Sequence, residues 1–425
     1  MRKIHLFYIL VFSLINTQFL LSEEYIIKFK TQKSVQNFLQ NSKINLKKAI
    51  QTNTPKHLFA NSTFNPDLYY LINFENSYKN TNLKNNPDID YYEPNHKFTL
   101  EKIKYNDSLF DKQWAFSKID ATNIWNIATG NGIKIGVVDS GIDFTHPDLV
   151  NQLYINTAED ANKDGKFEPW SITESRSGVF GDLNNFDDDN NGYVDDVIGY
   201  DFVDLSTPYL GDWNTPDPIC NDDLWHGTAV SSIIAAEQNN KIGLVGLAHG
   251  AKIITAKAFN ISGESETDDV ANAIIYLAVM GADIINMSFG DTYKSHFLKD
   301  VIDFANSMGS LIVASSGNSS NDKPHYPSDY NNVISVGACG KTGIRSGFSN
   351  FGVNLSILAP GEEIYVCDLN GNYKTASGTS FSAPFVTAAI ALYLENHPKP
   401  NASEMRSQLE FTATKITDKG WDKYN

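Results

Sequence analysis

Three residues of this chain are of the types that together transfer an acyl group. Ser380 lies in SGTSFSAPFVTAAIALYL, directly before an apolar stripe of helical period. His226 opens HGTAVSSIIAA, and Asp139 closes the apolar run IKIGVVDS. A serine hydroxyl is a weak nucleophile until a base takes its proton, and the base needs a carboxylate to orient it. A serine at a helix start also sits in a positive partial field, beside N–H groups that can bind an oxyanion. Taken alone, the serine stretch has a second reading, because Thr379 or Ser380 would equally cap a buried helix. Asp139 alone also reads as an ordinary strand-end carboxylate. Among the nine histidines, His226 stands out: Gly227 lets the backbone pass close, and a helix backs the ring. The order Asp, His, Ser and the missing G-x-S-x-G elbow argue against an α/β-hydrolase esterase.

Two acidic stretches offer different chemistry. DANKDG places Asp160, Asn162 and Asp164 at alternate positions before a glycine, and DDDNNG does the same with Asp187, Asp189 and Asn191. Alternating oxygen side chains and a sharp glycine turn form the front half of a calcium loop. The second stretch continues with YVDD, so Asp195 or Asp196 could complete a shell. Neither has the glutamate of a full loop's twelfth position, and a solvated acidic loop is the alternative.

The elements that must position these residues alternate. Apolar strands are expected at IKIGVVDS, AKIITAKAF, ADIINMSFG and SLIVASSGN, with amphipathic helices between them. Thr267 is the expected N-cap of the helix TDDVANAIIYLAVMG. Continuous apolar strands between helices predict an α/β fold, a parallel sheet covered on both faces. Functional loops then gather at the carboxyl ends of the strands, where Asp139, Ser288 and Asn318 fall. Residues 157–223 break the alternation and form a long acidic insertion. The front of the chain (23–104) reads as a small α+β unit, with strands at EEYIIKFK and LYYLINF. Residues 1–104 carry 14 Lys/Arg against 8 Asp/Glu, and the remainder carries 20 against 42. A basic front and an acidic body suggest two units that attract each other, and nothing favours nucleic acid. Arg2 and Lys3 before LFYILVFSLINTQFLL read as a signal peptide over residues 1–22. The product is therefore expected outside the cell, without stable membrane association. Cys220, Cys339 and Cys367 allow one disulfide at most, so bound metal is the expected stabiliser.

The motifs resemble those of the subtilisin-type serine peptidases, the subtilase family. VVDSGIDFTHPDL, HGTAVSSIIAA, INMSFG, VASSGN, YPSDYNNVISVGA and SGTSFSAP follow one another in the family's order. The match runs from about residue 107 to the C-terminus, with Ala229 where a second histidine is usual and Ser382 where alanine is commoner. The resemblance implies a subtilisin-like parallel sheet and a secreted endopeptidase acting on polypeptides through Asp139, His226 and Ser380. It assigns Asn318 to the oxyanion, and Ser288, Gly290, Ser316, Gly317 and His325 to substrate binding. A catalytically inactive binding relative is the alternative function. The front unit resembles the family's inhibitory propeptide, so an autoprocessed, monomeric enzyme is expected, cut between Lys97 and Asp107. The family's strong calcium site maps to Asp107, Asp148, Gln238, Asn240, Ile242 and Leu244. The family usually continues past GWDKYN with one more helix, which implies truncation or loss of an edge element. By resemblance His325 lies at the floor of the pocket for the side chain before the cut bond. There it would reduce preference for aromatics and admit Leu, Met, Gln or Glu, the last more readily on protonation near pH 6.

Overall fold

The computed structural model describes residues 5–6, 24–41, 46–49, 65–73, 83, 85–96, 105–204 and 216–415. Residues 97–104 of the expected cleavage segment, Lys97 to Asp107, and most of the expected signal peptide lie outside the described residues. The chain divides into Met1–Phe12 with Lys104–Asn425, and Ser13–Ile103.

The smaller unit is an antiparallel sheet in the order Lys47–Lys48, Tyr69–Asn73, Glu24–Phe29, Ile89–Pro94, with the helix Gln32–Asn41. Ile27, Phe29 and Ile72 from the strands meet Val35 and Phe38 from the helix in one apolar cluster. This is the α+β unit expected from the sequence.

In the larger unit the strands are β1 (Lys134–Asp139), β2 (Gly199–Asp201), β3 (Lys252–Lys257), β4 (Ile284–Met287), β5 (Leu311–Ser315), β6 (Val333–Cys339) and β7 (Ile357–Pro360). They lie side by side in the order β7-β6-β5-β4-β1-β3-β2, all parallel. Beyond β7, His5–Leu6 pairs parallel with it and antiparallel with Thr414–Lys415. The helices that cover this sheet include α1 (His226–Ala235), α2 (Thr267–Val279), α3 (His296–Ser307) and α4 (Ala383–Leu394). Side chains alternate across a strand, and both faces are covered here. Ile135 and Val137 of β1 join the cluster containing Ile233 of α1 and Ile390 of α4. Val138 joins the opposite cluster, with Ile274 of α2 and Ile302 of α3. A Cβ on Gly136 would come within 2.7 Å of Leu277, so glycine lets α2 sit close to β1. Among the described residues no helix is long and apolar enough to cross a membrane.

Two local expectations need correction. The acidic insertion is not strand-free, since its GYD segment forms β2, the edge strand beside β3. The N-cap of α2 is Glu266, whose backbone is extended, and Thr267 is already helical. Pro384 is the second residue of α4, where a missing N–H costs no helical hydrogen bond.

Candidate active site

Asp139 ends β1 and is buried. Its Oδ1 lies 2.7 Å from His226 Nδ1 and accepts the Ser140 N–H at 2.8 Å. The carboxylate fixes the proton on Nδ1 and leaves Nε2 free to accept one. His226 is the first residue of α1, and its side chain is 23% exposed. Burial pushes the imidazole down, but the charge and hydrogen bond of Asp139 and the charge of Asp222 outweigh it. The net effect, despite opposition from Lys374, is a pKa above the ordinary histidine value.

Asp222 is a supporting residue that motif reading missed. Its Oδ1 accepts from Ser140 Oγ and from the N–H groups of Leu224 and Trp225, at 2.8–3.0 Å. Its Oδ2 accepts from the Thr228 N–H and hydroxyl at 2.8 and 2.6 Å. These bonds hold the turn in which Trp225 has φ 94°, a strained conformation for a bulky residue. The only clue in the sequence is an aspartate four residues before the histidine.

Ser380 lies in a short 3-10 turn, Thr379–Phe381, just ahead of α4 rather than at its first residue. Its Oγ donates to the Ser288 carbonyl at 2.9 Å, so Ser380 is not hydrogen-bonded to His226 in this conformation. Ser288 Oγ in turn donates to the Ser380 carbonyl at 2.8 Å. Behind it, Thr387 of α4 donates to Asn286 Oδ1 at 2.8 Å, and Asn286 Nδ2 donates to Ser288 Oγ at 2.9 Å. The buried relay ties the serine turn to the end of β4. Asn318 accepts the Thr379 N–H and hydroxyl on Oδ1, at 2.9 and 3.0 Å, which aims its amide nitrogen away from that anchor. Ser377 and Ser382 are engaged elsewhere, Ser377 Oγ accepting from the Glu363 N–H and Ser382 Oγ donating to the Ala359 and Pro360 carbonyls. Neither rivals Ser380.

Beside His226 lies a cleft of 190 Å³ lined by Leu224, Phe259, Gly263, Ser288 and Phe289. On the other side, Ser288–Gly290 and Ser316–Asn318 follow β4 and β5, and the His325 ring lies between them. A Cβ on Gly290 would fall 2.3 Å from His325 Cε1, and one on Gly317 would fall 2.8 Å from Cδ2. Burial pushes the His325 pKa below the ordinary value, against the charges of Asp329 and Asp291. The expectation of protonation near pH 6 is therefore corrected downward.

A family model described as the subtilase family matches residues 130–424. The chain belongs to the subtilase family. It is 33% identical over 341 residues to the thermophilic serine proteinase of Bacillus sp. (strain AK1), covering 80% of this chain and 71% of that one. To thermitase of Thermoactinomyces vulgaris it is 32% identical over 322 residues, covering 75% and 95%. A solved structure titled as proteases from Pseudoalteromonas arctica matches with a TM-score of 0.59 at 25% identity, covering 73% of this chain and 92% of that one. This subtilase is a serine-type endopeptidase, and its substrates are polypeptides.

The subtilase's acidic groups are completed from outside their motifs. In the first loop Asp160 accepts the N–H groups of Lys163 and Gly165, Asn162 Oδ1 that of Asp164, and Asp164 Oδ1 that of Lys166. Glu168 joins through Asn162 Nδ2, and the buried Asp182 through the Glu168 N–H. Asp182 Oδ1 has no partner. Burial, with the charges of Glu168 and Asp160, raises Asp182 to about 7. In the second loop a carboxylate oxygen from each of Asp187, Asp189 and the buried Glu159 lies within 4.8 Å of the other two. Asn191 Nδ2 donates to Asp189 and Asp196, at 3.2 and 3.0 Å. Asp195 turns instead to the N–H groups of Asn184 and Asn185. In the third group Asp148 accepts from Asn240 Nδ2 at 2.7 Å and the Leu244 N–H at 2.8 Å. Asp107 Oδ1 accepts the Asn240 N–H, while Asp107 Oδ2 and Gln238 Nε2 are buried without partners. Ile242 donates its N–H to Asn240 Oδ1.

Proposed function

We propose that this endopeptidase works through Asp139, His226 and Ser380, with Asn318 at the oxyanion. The observation that carries the proposal is the 2.7 Å Asp139–His226 contact at the sheet edge where Ser380 and Asn318 also lie. Ser380 Oγ leaves the Ser288 carbonyl, gives its proton to His226 Nε2 and attacks the scissile carbonyl. The tetrahedral oxyanion is met by Asn318 Nδ2 and the Ser380 N–H. His226 then protonates the leaving amine, giving an acyl-enzyme that water hydrolyses by the reverse route. Asp139 holds the tautomer and stabilises the imidazolium throughout. Ser288, Gly290, Ser316 and Gly317 offer strand-end backbone along which an extended peptide can lie.

Calcium is the group that the acidic clusters fit best. Hard oxygen donors in number, an excess of carboxylates and the unpartnered oxygens of Asp107 and Asp182 favour a hard cation. Asp187, Asp189, Asn191, Asp196 and Glu159 would hold one ion. Asp160, Asn162, Asp164, Glu168 and Asp182 would hold a second. The Asp107, Asp148 and Asn240 side chains, with the Gln238, Ile242 and Leu244 carbonyls, would hold a third. Bound calcium supplies structural charge there, and no catalytic step. The exported zymogen reading rests on the N-terminal apolar run and on the separate α+β unit over residues 24–96.

The deciding experiment is Ser380→Ala in the full chain, expressed in a protease-deficient host. The variant is expected to keep the front unit attached and to clear no casein. Self-cleavage near residue 100 or casein clearing by the variant would overturn the nucleophile assignment.

A further inference from the structure

Resting on the reading of Ser380 as nucleophile, the geometry around its carbonyl-binding edge goes on to select substrates. An acyl carbon held at Ser380 Oγ, with its oxygen toward Asn318 Nδ2, sits between the chain ends that follow β4 and β5. Its side chain must enter the space between Ser288–Gly290 and Ser316–Asn318. Both walls present a glycine there. The gap between the two glycines is not open: the His325 imidazole spans it, with Cε1 and Nδ1 against Gly290 and Cδ2 and Nε2 against Gly317. A Cβ on either glycine would come within 2.3–2.9 Å of ring atoms, so the gap is one imidazole thick.

The ring is fastened in place. Ser328 Oγ donates its one proton to the His325 carbonyl at 2.8 Å, so at the 3.1 Å contact with His325 Nδ1 the ring nitrogen must be the donor. Asp329 accepts the His325 N–H and returns its own N–H to the His325 carbonyl. Tyr326 and Asp291 exchange backbone bonds in both directions, at 2.7 and 2.8 Å, locking the segment to the wall beyond Gly290. A further cavity of 160 Å³, with Ser316, Ser335, Asn350 and Leu355 among its walls, also borders His325.

We infer that His325 is a specificity-determining plug that restricts the residue before the cut bond to small side chains, glycine, alanine or serine. This is narrower than the tolerance of Leu, Met, Gln and Glu expected from sequence. A packed ring removes depth as well as changing polarity, and an entering side chain would have to break the Ser328 bond and separate the ring from both glycines. Removing the ring joins the gap to the neighbouring cavity and makes room for an aromatic side chain.

The test is a matched peptide series differing only in that residue (Gly, Ala, Ser, Leu, Phe), cleaved by the wild type and by His325→Gly. The wild type is expected to cut after Ala and Ser at least ~10²-fold more efficiently, in kcat/KM, than after Phe. His325→Gly should raise Phe cleavage relative to Ala cleavage by a similar factor, so that the Ala-to-Phe ratio in kcat/KM collapses toward one, whatever the change in overall rate. A wild type that prefers Phe or Leu overturns the inference, as does an unchanged Ala-to-Phe ratio in a variant that melts normally. If His325→Gly does not fold, peptide boronic acids ending in Ala and Phe are compared on the wild type. Tighter binding of the Ala compound supports the plug, and equal binding refutes it. Ser380→Ala is run alongside: a variant that still cleaves refutes the nucleophile assignment itself, whatever the side-chain preference. A wild type that turns over no peptide overturns both.

Discussion

Asp222 and Asp182 are both buried carboxylates, and burial pushes both upward. Their surroundings then diverge. Around Asp222 the other leading influences are hydrogen bonds from Thr228, Trp225 and Ser140, and all of them favour the charge. Around Asp182 the donors of Glu168 and Asn162 compete with the like charges of Glu168 and Asp160. Asp196 repeats the pattern: burial raises it to about 7, and Asp189 and Glu159 add to the rise. The turn before His226 therefore neutralises its anion with fixed dipoles of the chain. The insertion concentrates anions beyond what its own donors can satisfy, a design that makes sense with an added cation. One region is self-sufficient, and the other is conditional on its solution.

The sharpest way to break this contrast is at the self-sufficient end. Asp139→Asn should keep the fold and lower kcat by about 10⁴-fold, because an amide can hold the wrong imidazole tautomer. Kinetics with a melt as control check it, and a loss under tenfold would remove Asp139 from the triad. The acid limb of the wild-type rate profile should lie above the ordinary histidine range, since His226 must be neutral to act and its pKa is raised. Next, Asn318→Ala should cost about 10²–10³-fold in kcat with little change in KM, a range the oxyanion asparagine of subtilisin, a relative, has set. An effect confined to KM would mean that the amide binds substrate instead.

The conditional end should respond to calcium more than to single residues. Chelation should lower the melting temperature by several degrees, the scale of ~1–3 kcal/mol from a ligand that binds only the folded state. Glu159→Gln should shrink that response while leaving the kinetics in saturating calcium intact. Identical melts in chelator and millimolar calcium would remove the cation from the account. The smallest expected effect is at Asp269, in the first turn of α2. Burial, then the charges of Asp204 and Asp268, raise it to about 7. A carboxylate raised above its unfolded value gives stability that is complete below about pH 4 and is lost as pH rises through 7. Asp269→Asn should therefore raise the melting temperature by on the order of 2–4 °C at pH 8 and leave it unchanged at pH 4. A shift of equal size at both pH values would exclude titration as the cause.

What could be read in the sequence follows the range of the interactions. Asp139, Ser288 and Asn318 stand at or just beyond strand ends, so a parallel sheet brings them to one edge once the strands are recognised. The half-loops around Asp160 and Asp187 are visible because their oxygens alternate within six residues. Their completing carboxylates are not, since Asp182 and Glu159 reach them only through folding of the whole insertion. Asp222 lies close to His226 in sequence and four of its five accepted bonds are local, from Leu224, Trp225 and Thr228, but the fifth, which ties the turn to the end of β1, comes from Ser140, more than 80 residues away. β2 escaped because three residues, GYD, carry no periodicity of their own and pair only because β3 offers an open edge. The identity of His325 is plain in the sequence. Its role as a plug depends on Ser328 holding the ring and on two glycines brought together by different strands.

Cys220, Cys339 and Cys367 are all free and all buried, so the single disulfide that the sequence allowed does not form. Burial raises all three thiols, Cys339 to about 12, so little reactive thiolate is present in the folded protein. This turns the cysteines into internal reporters. Cys220 sits beside the start of the His226 turn, Cys339 ends β6, and Cys367 borders Asp148. An alkylating reagent can reach each only when its own neighbourhood opens, so three labelling rates measured by mass would give three local opening free energies. With calcium as the variable, those rates would separate loosening around Asp148 from opening of the whole sheet, one thiol at a time.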